Sequence, residues 1–166
     1  EEIETGIHSL QPVTGRNHLI ETDTLMILDD CYNANPASMR ASLDVLALAT
    51  GRRVAVMGDM KELGENEEQL HFETGEYAAR KGIDTIVCIG PLACQMYLGA
   101  KNLASGNTVL HYTGKKEFLH DLPSLFEAGD TVLVKASNSM KFSEIVEALT
   151  EFEANTKDEI EKGAKQ

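Results

Sequence analysis

Short apolar runs recur along this chain. Each is followed by a polar turn and then by a longer segment in which apolar residues return every three or four positions. Leu25–Asp29, Val54–Met57, Thr85–Ile89, Thr108–Tyr112 and Thr131–Lys135 read as strands, and Arg16–Glu21 joins Leu25–Asp29 through a Thr-Asp-Thr turn as an edge hairpin. Helices are predicted over Pro36–Ala49, Glu65–Lys81, the segment after Gly90-Pro91 through Asn102, Lys115–Phe126 and Met140–Thr150. Asn35 suits an N-cap and Pro36 the first helical position, while Gly51 and Gly82 suit helix ends. Pro123 is expected to break the last turn of its helix. Nearly continuous apolar strands that alternate with helices imply a parallel sheet covered on both faces. The fold class is therefore α/β: a doubly wound, Rossmann-like, mostly parallel sheet of about six strands with one antiparallel edge strand. This domain is expected to occupy residues 1–150. Residues 151–166 alternate charges without an apolar face and read as a charged helical extension or a disordered tail.

Composition narrows the function. A length of 166 residues suits one domain with a real core. The net charge of −12, with no basic stripe, argues against a nucleic-acid partner. No apolar run approaches the roughly 18–20 residues that span a bilayer, so no membrane insertion and a cytoplasmic location are expected. Cys31, Cys88 and Cys94 form no C-x-x-C pair, which fits a reducing compartment, and Cys88 reads as a small buried hydrophobe. His8, His18, His71, His111 and His120 show no H-x-x-x-H or H-E-x-x-H spacing, so no dedicated metal site is expected. Neither G-x-G-x-x-G after a strand nor a G-x-x-x-x-G-K-[ST] phosphate loop is present. A domain that transfers phosphoryl groups by itself needs such a cradle. This one is expected to complete an active site, and no catalytic residue is assigned to it.

The chemistry-bearing residues fall at predicted strand ends: Asp29 and Asp30, Gly58 and Asp59, Gly90, then Lys135 with Ser137. Open α/β sheets bind ligands along that rim. Adjacent acids ahead of an N-capped helix can hold a ribose or a metal but alone would repel phosphate, so the Asp29–Asp30 turn reads as half of a nucleotide site. The plainer alternative is that such acids only cap turns and helices. Lys135, entering K-A-S-N-S-M, could meet a phosphate or carboxylate, or could be a solvated lysine before a polar cap. Arg16, after a glycine turn, suits bidentate phosphate contact, although alone it reads as a surface residue.

Four collinear segments carry a family resemblance: P-V-T-G-R (Pro12–Arg16), D-D-C-Y-N-A-N-P-A-S-M (Asp29–Met39), V-M-G-D-M-K-E-L-G (Val56–Gly64) and V-L-V-K-A-S-N-S-M (Val132–Met140). The chain resembles the C-terminal domain of the Mur ligases, ATP-dependent amide-bond-forming enzymes of peptidoglycan precursor synthesis. Y-N-A-N-P with G-D-M-x-E-L-G points to the branch that adds D-alanyl-D-alanine to the UDP-linked muramoyl tripeptide. Two departures are Cys31, where the family often has Ser, and Ala136, where it often has Gly. The resemblance implies a domain that packs on a central ATPase domain and closes over ATP, whose Mg is bound mainly by that central domain. It implies nucleotide contacts from Arg16, Asp30, Tyr32 and Asn35. Lys135, Ser137 and Asn138 would lie on the D-alanyl-D-alanine side, and Asp59 on a loop lining the cleft. The isolated domain is then expected to lack ligase activity.

Two other readings fit the residues alone. A receiver-like phosphoacceptor domain also has an acidic pair ending one strand and a lysine ending the last, but here the next acid follows Gly58 and no clear Ser or Thr ends Thr108–Tyr112. A stand-alone nucleotide-binding or interaction module has the same features as a domain that completes another domain's site.

Overall fold

The computed structural model describes residues 16–153; Pro12–Gly15 and the expected tail beyond 153 lie outside the described residues. In chain order the elements are β1 (His18–Glu21), β2 (Met26–Asp29), α1 (Pro36–Ala47), β3 (Arg53–Gly58), α2 (Glu67–Arg80), β4 (Thr85–Ile89), α3 (Ala93–Leu103), β5 (Thr108–Tyr112), α4 (Lys115–Leu125), β6 (Thr131–Lys135) and α5 (Ser143–Thr150). Single 3₁₀ turns, Gly64–Asn66 and Asn138–Met140, precede α2 and α5.

The strand order is β1-β2-β6-β3-β4-β5, parallel throughout except for the β1–β2 edge pair. A short loop suffices for that antiparallel pair, and the Thr22 hydroxyl shapes it by accepting from the Leu25 and Thr24 amides. The last strand, β6, inserts between β2 and β3, so α1 crosses it on the way to β3 and the chain returns through α4. This doubly wound layout agrees with the sequence reading.

Strand side chains alternate between two cores. On one face, α1, α2 and α3 bring Met39, Leu43, Ala78 and Met96 against Leu28, Ala55, Met57 and Leu133. On the other, α4 and α5 bring Phe118, Leu122, Ile145 and Leu149 against Ile27, Val56 and Val134. Alternation carries to the end of β6 and one step past β2: Lys135 follows Leu133 and Asp30 follows Leu28 onto the face that α1 covers.

Most element bounds shift by one or two residues from expectation, and two differences have a specific cause. The helix containing Pro123 runs on to Leu125. In the last turn proline removes only one bond, and the Ser124 hydroxyl donates to the Asp121 carbonyl at 2.7 Å there. The predicted helix from Met140 divides, because Lys141 takes a left-handed conformation (φ 51°) between the 3₁₀ turn and α5.

Candidate functional site

Asp30 is the first residue past β2 and Lys135 the last of β6, and the Asp30 amide still donates to Val134 as though the strand continued. That register sets the two side chains together on the α1 face. The Lys135 ammonium donates to Asp30 Oδ2 at 2.7 Å and to the Asn33 carbonyl at 2.9 Å, and lies 3.5 Å from the Asp30 carbonyl. Lys135 is 2 % exposed and Asp30 7 %. Burial of one such charge alone is costly, so the pair forms a unit. From α1, the single proton of the Ser42 hydroxyl has two acceptors in range, the same Oδ2 at 2.5 Å and the Ser38 carbonyl at 3.0 Å, and goes to the shorter and charged one, while the Asn17 amide reaches Oδ1 at 3.2 Å.

Helix α1 begins at this turn. The Asn35 side chain accepts from the Ser38 amide at 2.8 Å, and the Ser38 hydroxyl accepts from the Asn35 amide at 3.0 Å, with Pro36 at the first position. This reciprocal cap fixes where the free amides of the helix start point. Beside it the Arg16 guanidinium lies 4.1 Å from the centroid of the Tyr32 ring, and both residues are exposed.

These groups line one cleft of about 330 Å³: Arg16, Asn17, Asp30, Tyr32, Asn33, Asn35, Ser38, Ser42 and Lys135, with Ala41 and Val45 as its apolar wall. Since Lys135 is neutralised by Asp30, Arg16 is the remaining cation among these lining residues. The cleft offers one guanidinium, an aromatic ring, a helix N-terminus and a carboxylate edge, a set suited to an anionic ligand that also carries hydroxyls.

The structure thus brings Arg16, Asp30, Tyr32, Asn35 and Lys135 into one cleft, which joins Lys135 to the residues expected on the nucleotide side. Asn138 lines a neighbouring cleft with Cys31, Ser139, Lys141, Phe142 and Ser143, and Tyr32 is a wall of both. Ser137 is buried beneath, its hydroxyl accepting from the Lys61 amide at 2.8 Å and its own amide donating to the Asp59 carbonyl. Asp59 is fully buried, with Oδ1 accepting from the Ala93 amide at the start of α3 and Oδ2 from the Lys61 ammonium at 3.1 Å. It braces the loop between the strand ends and is absent from the lining of both clefts. His71, wholly buried, holds the same loop: its Nε2 accepts from the Met60 amide at 2.9 Å while Nδ1 faces the Glu67 carbonyl at 2.6 Å. Those bonds fix the neutral tautomer with the proton on Nδ1.

Cys31 sits on the opposite side of the turn from Asp30. Burial, and then the neighbouring Asp29 carboxylate, push its thiol up to about 12. Ser42, Asn17 and Asn33 were not singled out by the sequence. The available signal for Ser42 was a lone hydroxyl inside the apolar stripe of Met39, Leu43 and Leu46, and for Asn33 its place in Y-N-A-N-P; Asn17 had none.

The family model for the glutamate ligase domain of Mur ligases matches residues 15–138. The chain is 37 % identical over 154 residues to the UDP-N-acetylmuramoyl-tripeptide–D-alanyl-D-alanine ligase of Bacillus subtilis, covering 91 % of this chain and 34 % of that protein. Among solved structures, MurF from Acinetobacter baumannii superposes with a TM-score of 0.78 at 31 % identity, over 89 % of this chain and 33 % of the other. MurF from Thermotoga maritima in complex with ADP gives 0.71 at 30 % identity, over 86 % and 32 %. The chain spans about a third of the length of these relatives. The family match runs from the residue before Arg16 to Asn138 and so takes in both strand ends that build the cleft: the chain belongs to the Mur ligase family, as its glutamate ligase domain.

Proposed function

We propose that this chain is the C-terminal domain of an ATP-dependent ligase that adds D-alanyl-D-alanine to the UDP-N-acetylmuramoyl tripeptide. The observation that carries this reading is the cleft at the ends of β2 and β6, in a chain whose relatives bear that ligase's name. In the reaction, the tripeptide carboxylate attacks the γ-phosphorus of ATP and ADP leaves. The amine of D-alanyl-D-alanine attacks the resulting acyl phosphate, and the tetrahedral intermediate expels phosphate as the amide forms. Asp30 accepts a hydrogen bond from the ribose, with Tyr32 and Asn35 beside it. Arg16 leaves its stack on Tyr32 to meet the phosphates, where a guanidinium stabilises charge as it develops. Ser137 and Asn138 belong to the side that faces the dipeptide. Among the described residues no group of three or more His, Cys, Asp or Glu is gathered for a metal, and the magnesium that accompanies ATP is assigned in this reading to the central ATPase domain. The reaction takes place in the cytoplasm, where ATP is supplied.

The test uses the full-length ligase and follows phosphate release with and without each cosubstrate. Asp30→Asn is preferable to Asp30→Ala, which would leave the buried Lys135 ammonium beside a void. Release should need all three substrates and fall by about 10²-fold in kcat/KM for ATP in Asp30→Asn. Release that ignores the tripeptide or the dipeptide overturns the ligase reading. Unchanged release in Asp30→Asn removes Asp30 from the nucleotide site. The isolated chain should release no phosphate.

A further inference from the structure

We propose that Lys135 and Ser42 are positioning residues for the nucleotide: they fix one oxygen of Asp30 so that the other is presented to the ligand. This rests on the reading that the cleft takes the nucleoside of ATP. It moves Lys135 from the dipeptide side of the site to the nucleotide side.

The donor count favours this role. An ammonium has three N–H donors. Two of those on Lys135 are used at 2.7 and 2.9 Å by Asp30 Oδ2 and the Asn33 carbonyl, and the third points toward the Asp30 carbonyl at 3.5 Å. Its side chain is 3 % exposed, so no donor is free for a substrate carboxylate. Asp30 is used unevenly. Oδ2 receives both Lys135 and the Ser42 hydroxyl, whereas Oδ1 receives one backbone amide, from Asn17, at 3.2 Å. A carboxylate oxygen accepts along about two directions, so Oδ1 keeps one of them for a ligand hydroxyl. With both contacts on Oδ2, rotation about the Cβ–Cγ bond would break two short hydrogen bonds at once. Lys135 also holds the Asn33 carbonyl, fixing the turn that leads to Tyr32 and the Asn35 cap. One buried side chain thereby sets the orientation of the carboxylate and the path of the turn.

A lysine that touched the dipeptide and one that positions Asp30 predict different kinetics. In the full-length ligase, Lys135→Met should raise the KM for ATP by about 30-fold and leave the KM for D-alanyl-D-alanine within about twofold. Ser42→Ala, which removes one hydroxyl and no charge, should raise the KM for ATP by about 3- to 10-fold with the same selectivity. It keeps the test decisive should Lys135→Met fold poorly. Because Lys135 acts through Asp30, the double variant Asp30→Asn/Lys135→Met should be within about twofold of Asp30→Asn alone in kcat/KM for ATP. A rise in the dipeptide KM with ATP unaffected overturns the proposal and returns Lys135 to the substrate side. So does an unchanged ATP KM in both single variants, or a fully multiplicative double variant. A wild-type protein with no ATP-dependent ligation fails before any substitution is made; that result removes the parent reading and this proposal together, and it is distinct from the others.

Discussion

At the start of β6, Asp130 is met by the Arg52 guanidinium through two parallel bonds, Nε to Oδ1 at 2.9 Å and Nη2 to Oδ2 at 2.7 Å; at the end of the same strand, Lys135 meets Asp30 through a single oxygen. Both carboxylates are nearly buried. The difference lies in the cation. A guanidinium fork occupies both carboxylate oxygens, and here the Glu127 amide adds a third bond at 2.9 Å while Arg52 also donates to the Leu125 carbonyl. That end is a closed staple between the start of β3 and the turn after α4, and the same carboxylate raises the guanidinium's pKa above its ordinary value. An ammonium is a point charge that meets one oxygen, and the other accepts only the Asn17 amide at 3.2 Å, on the side that lines the cleft. The same pairing of charges therefore fastens the sheet at one end and serves a cleft at the other.

The strongest way to break this comparison is to remove the staple. Asp130→Ala leaves the Arg52 fork and the Glu127 amide without their common acceptor. Stability should fall by about 2–4 kcal/mol, discounted because Arg52 is partly exposed. The corresponding drop in Tm is about 5–15 °C for a domain of this size. In the full-length ligase, below its melting range, the KM for ATP should be unchanged. A large kinetic effect without loss of Tm would mean that the two ends of β6 are coupled, and the division between staple and cleft would fail.

A second substitution separates loss of stability from loss of the cleft without touching either ion pair. Helices α2 and α3 pack backbone to backbone at Gly75 and Gly99, where an added Cβ would lie 1.9 Å from the Met96 carbonyl oxygen and 2.0 Å from that of Phe72. Backbone cannot yield as a flexible side chain can, so the helices must move apart. Gly75→Ala should cost about 2–3 kcal/mol, read as a lower urea midpoint, again with no change in the KM for ATP. If it alters the KM as strongly as Lys135→Met, general loosening explains the kinetic effect and the special role of Lys135 is lost.

The sequence made the elements easier to read than the site. The bounds of β4 and β6 coincide with prediction because their residues are buried on both faces and read as apolar runs, and those of the edge strand β5 coincide although only Val109 in it is buried. Asp30 and Lys135 were each singled out, but their pairing was not. They are 105 residues apart in sequence, and only the insertion of β6 between β2 and β3 makes them neighbours. Ser42 was hidden because a serine in a helix is usually solvated or bonded to its own backbone, and Ser42 too has the Ser38 carbonyl within 3.0 Å beside the Asp30 carboxylate. Asp59 was legible as a strand-end acid, yet its work is to receive the Ala93 amide and brace a loop, which the capping alternative described better. The left-handed Lys141 left no trace, since it is not one of the residue types that ordinarily mark that conformation.

The smallest expected effect probes the far side of the turn that holds Asp30. Cys31 is buried, its amide donates to Asp29 Oδ1 at 3.3 Å, and its thiol is pushed from 9.0 up to about 12. An acid whose folded pKa is raised contributes stability that is fully present below its unfolded pKa and is lost as pH climbs toward the folded value. Stability should therefore be flat in this respect up to about pH 9 and decline from there to about 12. Cys88, buried in β4, is raised in the same sense, so wild type alone cannot isolate Cys31. Cys31→Ser removes the titrating group and keeps a small polar side chain at a position that borders the second cleft. Urea unfolding at pH 7.5, 9.0 and 10.5 should show wild type losing about 2 kcal/mol more than Cys31→Ser by the highest pH. At pH 8 the native thiol should also react with iodoacetamide far more slowly than the partly exposed Cys94, since thiolate is the reactive form. Equal pH dependence in the two proteins, or rapid alkylation of Cys31, would mean that the turn opens to water. The firm orientation argued for Asp30 would then have to come from bound ligand instead of from Lys135 and Ser42.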